Sequence, residues 1–229
     1  MLKKILIALG VLIGLLAISA LTIAMLYEEQ VKKIIIGEIN KKLIAPVQVG
    51  DIQFSLIKNF PNASLSFYDV KAQSVYNGND HKSCPDNLIT AKEISLQFNL
   101  MDIFNGIYTI NKIVLNGVNL SLFIDKKGDD NYHCWKSDST SIKSAVTFKM
   151  NKIAVHDFDA KYKDLKQFLE FDFLFKEAQV KGEIFNSDFA MLLQSNLKIK
   201  ELKFENNQFL RNKDVVLNIN LLKQNKIYM

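Results

Sequence analysis

The chain is poor in arginine. Arg211 is its only one, so lysine carries the formal net charge of +5. Specific readout of phosphates and base edges favours the planar arginine fork, which argues against a nucleic-acid partner. The lysines suit solvated strand faces and protected sheet edges. Glycine is also scarce, at nine in 229 residues. That leaves little room for phosphate-cradling loops, and neither a P-loop nor a G-x-S-x-G elbow occurs. The three histidines, His81, His133 and His156, have no partners at metal-ligand spacing. His133 adjoins Cys134, but neighbours in an extended chain point to opposite faces. Asp129 and Asp130 sit in "DKKGDDN", which lacks the ligand order of a calcium loop and fits a turn. Two cysteines, Cys84 and Cys134, fall in polar stretches without metal spacing. A single disulfide between them is open to a chain in an oxidising compartment. These absences predict a protein that is not an enzyme and that uses no metal and no cofactor.

What is present is order and a long apolar run. Hydrophobic residues make up 48% and charged residues 23%, a balance that excludes a disordered chain. Lys3 and Lys4 precede residues 5–26, which contain no charge. As a helix this run covers about 33 Å, enough for a hydrocarbon core of about 30 Å. Ala17 and Ser19 offer a small-x-small cleavage site, but the apolar run continues past them. An uncleaved transmembrane anchor over residues 1–27 is therefore expected. Lysines before the run and Glu28 and Glu29 after it place the N-terminus in the cytoplasm and the body across the membrane. In the next segment, Val31, Ile34, Ile35, Ile39 and Leu43 recur at helical spacing. Lys41 and Lys42 come at its end, and Pro46 stops it. This predicts a helix over 28–46, either capping a β core or lying on the membrane surface.

From Val47 onward the period is two. Ile94, Leu96, Phe98 and Leu100 alternate with Glu93, Ser95, Gln97 and Asn99, and Val118, Leu120, Leu122 and Ile124 with Asn119, Ser121, Phe123 and Asp125, the outward phase. Leu169, Phe171, Phe173 and Phe175 do the same, and so do Val215, Leu217, Ile219 and Leu221. Strands of this kind bury one face and wet the other, which predicts a mainly β, mostly antiparallel sheet over 47–229. Ten to twelve strands are expected. Residues 100–108 are expected to form a short helical turn, and 163–169 a weaker one. Laid open at about 4.8 Å per strand, such a sheet is on the order of 50 Å wide, a size at which sheets curl, close or split. Residues 168–175, "FLEFDFLF", suit either strand core or a surface for acyl chains.

Order and spacing add a resemblance. An anchor is followed by "NFPNASL", then "ISLQFNLMDIFNGIYTINKIVLNGVNLSL", then "DKKGDDNYHCW" with Gly128, Asn131 and Trp135. Together these resemble the N-terminal region of the AsmA family of bacterial envelope proteins, over roughly residues 1–160. Residues 149–164, "KMNKIAVHDFDAKYKD", resemble the start of a following repeat unit. The resemblance implies a single-pass inner-membrane protein with a periplasmic body. It implies a curved sheet forming an open groove of the AsmA/TamB-like repeating kind. The groove would be lined by Ile94, Leu96, Phe98, Leu100, Val118, Leu120, Leu122, Ile124, Leu169, Phe171, Phe173 and Phe175. The partner implied is phospholipid or another membrane lipid, with further envelope proteins as partners. The role implied is phospholipid transport or homeostasis between inner and outer membranes, and outer-membrane biogenesis. Members of the family are longer, so a short or truncated member is expected.

Two other functions fit the residues alone. A closed β-sandwich would make the chain a non-lipid scaffold or assembly factor that binds envelope proteins through its edges. Signal cleavage would instead release a secreted enzyme or binding domain. What covers the apolar strand face separates the first of these from a lipid protein.

Overall fold

The fold is taken from a computed structural model, which describes residues 36–37, 40–41, 43–59, 62–99, 110–136, 152–185, 188–205 and 207–223. Two compact units divide the chain, Met1–Lys41 and Lys42–Met229. The anchor expected over residues 1–27 lies outside the described residues, as does most of the helix expected over 28–46. Residues 43–46 do not continue a helix. Leu43 is buried and forms a β-bridge with Trp135, and Pro46 leads directly into the first strand.

Among the described residues the second unit is mainly β, with nine strands in one mostly antiparallel sheet, uncurled where a curved one was expected. They are β1 (Val47–Gln48), β2 (Asp51–Asn59), β3 (Asn62–Gln73), β4 (Asn87–Asn99) and β5 (Ile110–Ile124), then β6 (Lys152–Asp164), β7 (Leu169–Phe185), β8 (Asp188–Phe204) and β9 (Asn207–Lys223). Their order is β1-β3-β4-β5-β6-β7-β8-β9, with β2 also pairing β3. The described strands run to as many as 17 residues, in β7, β8 and β9. The weak helical turn expected at 163–169 is instead the hairpin turn between β6 and β7. Asp164 closes it, its Oδ1 accepting from the amides of Lys166 and Gln167 at 2.9 and 2.8 Å. The turn expected at 100–108 lies outside the described residues.

One junction is parallel. β5 and β6 pair at a constant offset, with Ile113 beside Ile153, Leu115 beside Val155 and Leu120 beside Ala160. The same offset aligns "INKIVLNGVNLSL" with "MNKIAVHDFDAKY" in sequence. Residues 152–164 are thus a second copy of the 112–124 strand, laid in register against the first.

A left-handed row crosses the sheet. Asp69 on β3, Gly117 on β5 and Asp157 on β6 have φ of 50°, 58° and 51°. Continuing the ladder register sets Lys92 of β4 and Lys176 of β7 in the same row, and a register shift marks Lys176. Aspartate tolerates this conformation better than most residues and glycine best. Apolar positions change parity at the row, from Ile113 and Leu115 to Val118 and Leu120, and from Ile153 and Val155 to Phe158 and Ala160. The face does not change. Strand β8 stays regular against β9 through this region, and its Leu193, Ser195, Leu197 and Ile199 meet both halves of β7, at Val180, Ala178, Phe175 and Phe173.

Gly117 is where this row tolerates least. A Cβ there would meet the Lys92 side chain at 2.6 to 3.2 Å, at a φ that L-residues disfavour. Gly117→Ala is expected to cost about 1–2 kcal/mol, Gly117→Val more, and Gly117→Asn less than alanine. Urea midpoints of the three variants check this order. Alanine equal to glycine would contradict it.

Candidate functional site

Cross-strand pairs build the apolar face into rows. Above the left-handed row runs Phe54–Leu65–Leu96–Ile113–Ile153–Val180–Leu193–Ile219. Below it runs Val70–Ala91–Val118–Phe158–Phe175–Leu197–Val215, and then Leu122–Tyr162–Phe171–Leu202–Leu210. Aromatic rings thicken the centre. Phe158 meets Phe175 edge-on with centroids 6.1 Å apart, while Phe171 stacks between Tyr162 and Phe173 at 5.0 and 4.7 Å. Among the described residues no strand lies across this face, and substantial strand contacts run only between ladder neighbours. Along this face Val70, Ala91, Val118 and Leu197 are buried, while Leu96, Ile113, Ile153, Phe158, Phe171 and Phe175 are half-buried.

The opposite face is polar and holds itself together by charge. Lys200, the extra residue where β8 bulges against β7, pairs with Asp159 and lies 3.5 Å from Asp172. Lys203 links Glu201 at 2.6 Å and Glu170 at 3.8 Å. Burial and the nearby Asp159 carboxylate push Asp172 upward. Burial works against charge on Lys200, but Asp159 and Asp172 outweigh it and raise its pKa. Two shallow depressions are lined in large part by polar residues. One of about 150 Å³ is lined by Ser64, Ser66, Glu93 and Ser95, and one of about 210 Å³ lies between Ser83 and Pro85 and the strand residues Lys161 and Glu170. Both are smaller than ordinary small-molecule pockets.

A polar knot closes one end of the sheet. Asp125, buried at the end of β5, accepts the amides of Lys127, Gly128 and Asp129 on one oxygen at 2.8 to 2.9 Å. Tyr76 donates to its other oxygen at 2.8 Å. Burial opposes the Asp125 charge, yet these donors win and lower its pKa. Asn131 is fully buried beside it. It accepts from the Phe123 amide at 2.8 Å and donates to Ser74 and to the Ser121 carbonyl at 3.0 and 2.9 Å. Phe123 is sealed on the polar side of the sheet with the Tyr76 ring 5.7 Å away. Asp130 accepts from the Tyr132 and His133 amides and from the His133 ring, so "DKKGDDN" is indeed a turn. Cys84 and Cys134 are both free thiols. Burial raises Cys84.

Of the residues singled out in the sequence, Val118 is buried. Ile94, Leu96, Phe98, Leu120, Leu122, Ile124, Leu169, Phe171, Phe173 and Phe175 are half-buried on the apolar face, and Leu100 lies outside the described residues. The β5 and β7 sets do not touch directly, because β6 stands between them. Periodicity missed Phe158, Ala160 and Tyr162 there, since Asp157 breaks the alternation. Ile113 and Leu115 were missed because parity changes at Gly117. The repeat between 112–124 and 152–164 was the signal that finds both.

Two measurements probe this region. Asn131→Ala leaves the buried Phe123 amide without its acceptor and is expected to lower unfolding free energy by about 2–3 kcal/mol. Urea denaturation reads it, and an unchanged midpoint would contradict it. Tyr162 donates to Asp164 at 3.0 Å, and burial together with that bond raises its pKa from 10.0 to about 12. The folded value exceeds the unfolded one. Its contribution is therefore complete below the unfolded value of 10.0 and is lost as pH rises through about 12. A phenolate absorbance titration of the wild type should show a late component that Tyr162→Phe removes. No family model matches the chain, and no curated protein or solved structure matches it either.

Proposed function

We propose that this is a membrane-anchored envelope protein that holds lipid on the apolar face of its sheet, in the manner of the AsmA family. One observation carries the reading: the apolar rows continue across strand after strand, and no described strand covers them. Lipid acyl chains are the cover that such a face selects. At roughly 25 cal/mol per Å², burying a few hundred Å² of chain contributes several kcal/mol without any headgroup pocket. On this reading the uncurled sheet offers its apolar face as an open track, and an acyl chain lies along rows that are interrupted at Ser195 on β8 and Asp164 on β6. The uncharged run at 5–26 is the anchor in the inner membrane, the body is periplasmic, and the role is phospholipid movement or homeostasis between the two membranes.

A second reading has one observation in its favour. β9 is a 17-residue strand that pairs only with β8 among the described residues, and Val216 and Leu222 stand exposed on it. An edge of that length invites an added strand from an envelope protein. The chain would then be a scaffold or assembly factor, without the closed sandwich.

Lipid extraction separates the two. The full chain, purified in mild detergent, is expected to carry phospholipid detectable by mass spectrometry. Leu120→Glu combined with Leu122→Glu should remove most of it, while Val216→Glu, on the opposite face, should leave it in place. The far-ultraviolet circular dichroism spectrum and a cooperative urea transition serve as the check that each variant is folded. A folded wild-type chain free of phospholipid overturns the lipid reading.

A further inference from the structure

One end of the sheet carries a line of exposed aromatic side chains. Its bottom row is Ile124–Asp164–Leu169–Phe204, joined to Asn207. Just beyond that row stand Phe168 in the β6–β7 turn, 54% exposed, and Phe204 at the end of β8, 43% exposed. The Glu205 amide donates to the Phe168 carbonyl at 2.9 Å, so the two turns are fastened together. Phe209 at the start of β9 is exposed as well. At the other side of the same end, Trp135 is 69% exposed and Ile44 is exposed beside it. The Ile44 amide donates to the Cys134 carbonyl at 2.8 Å, and Leu43 bridges Trp135. The Asp125 and Asn131 knot fixes the turn after β5 to the ends of β3 and β5. Trp135 is the only tryptophan in the chain.

We propose that this turn end is a membrane-contact edge, with Trp135, Phe168 and Phe204 seated in the interface of the bilayer that holds the chain's own anchor. Three features point to a lipid surface. Tryptophan and phenylalanine exposed on tight turns fit an interface that is apolar on one side and wet on the other. In sequence, this end begins at Leu43, 17 residues after Leu26 closes the uncharged run. Moreover, the apolar face borders this end through Ile124 and Leu169, which flank the buried Asp164 in the bottom row. Charge does not drive the contact. Exposed Lys126, Lys127, Lys136 and Lys166 are interspersed with Asp129, Asp130 and Glu205. The contact is therefore insensitive to lipid charge and to salt.

The inference rests on the anchor, and one experiment separates the two. The full chain is reconstituted into phosphatidylcholine vesicles containing acyl-brominated lipid, and Trp135 emission is recorded with flotation of the vesicles. A chain that floats with the vesicles and loses most of its Trp135 emission to bromine, with weak quenching by aqueous acrylamide, supports the contact edge. Phe168→Ser with Phe204→Ser should restore much of the emission. Leu120→Glu with Leu122→Glu should not, because the quenching lipid is bilayer rather than cargo. Adding phosphatidylglycerol or salt should change little. A floating chain whose Trp135 stays bright and open to acrylamide overturns the contact edge alone. Bromine quenching that survives the double serine change overturns the role of the two phenylalanines, and a chain that does not float overturns the anchor and the edge together.

Discussion

Everything in this sheet depends on keeping side chains of one kind on one side of a long pleated backbone. Alternation is strict in a regular strand, so a single misplaced residue would move every later apolar group to the wrong face. Strands of 13 to 17 residues are long enough for such an error to matter. The left-handed row resets the count at the same level in neighbouring strands. Asp69, Gly117 and Asp157 accept the conformation at low cost, and the bulge at Lys176 performs the equivalent step in β7. Because the resets are aligned, the rows above and below stay on a common surface.

The two faces are stabilised by different means. On the apolar side the rows gain by area and by ring contacts, with no specific bond to set position. On the polar side, ion pairs such as Lys203–Glu201 sit at part-exposed positions, where each contributes modestly. The knot at the turn end is of another kind. Asp125, Asn131 and Asp164 are buried; the two carboxylates each accept several backbone amides, and Asn131 accepts the buried Phe123 amide, so losing any one leaves backbone donors without their partner. That end is fixed by directed bonds and the middle by undirected packing.

Much of this was legible in the sequence. Period two named a mainly β, mostly antiparallel body, and the sets around Leu96, Leu120 and Phe173 fall on the face expected of them. What escaped was non-local or conformational. Nothing in "VHDFDAKY" taken alone shows that Asp157 is left-handed, and a simple alternation template fails there. The parallel pairing of β5 with β6 was visible only as weak self-similarity between two strands. Phe123 and Asp125 were placed in the wet phase of their strand, yet both are buried, because the stretch carrying Tyr76 and Asn131 folds over them. A chain segment distant in sequence decided their environment, and period counting has no access to that.

The parallel junction has a bearing on how the sheet comes together. β3 to β5 and β6 to β9 are each joined through neighbours in sequence, so each half can zip up from local turns. Between them stands one rung, β5 with β6, whose partners are separated by the crossover that begins at Asp125. Loop-closure entropy is concentrated in that step. Since Asp125 organises the first turn of the crossover and Asp164 organises the turn after β6, the carboxylates flanking the rung shorten the search on both sides. The sheet is two quick-forming leaves bound along a single slow spine.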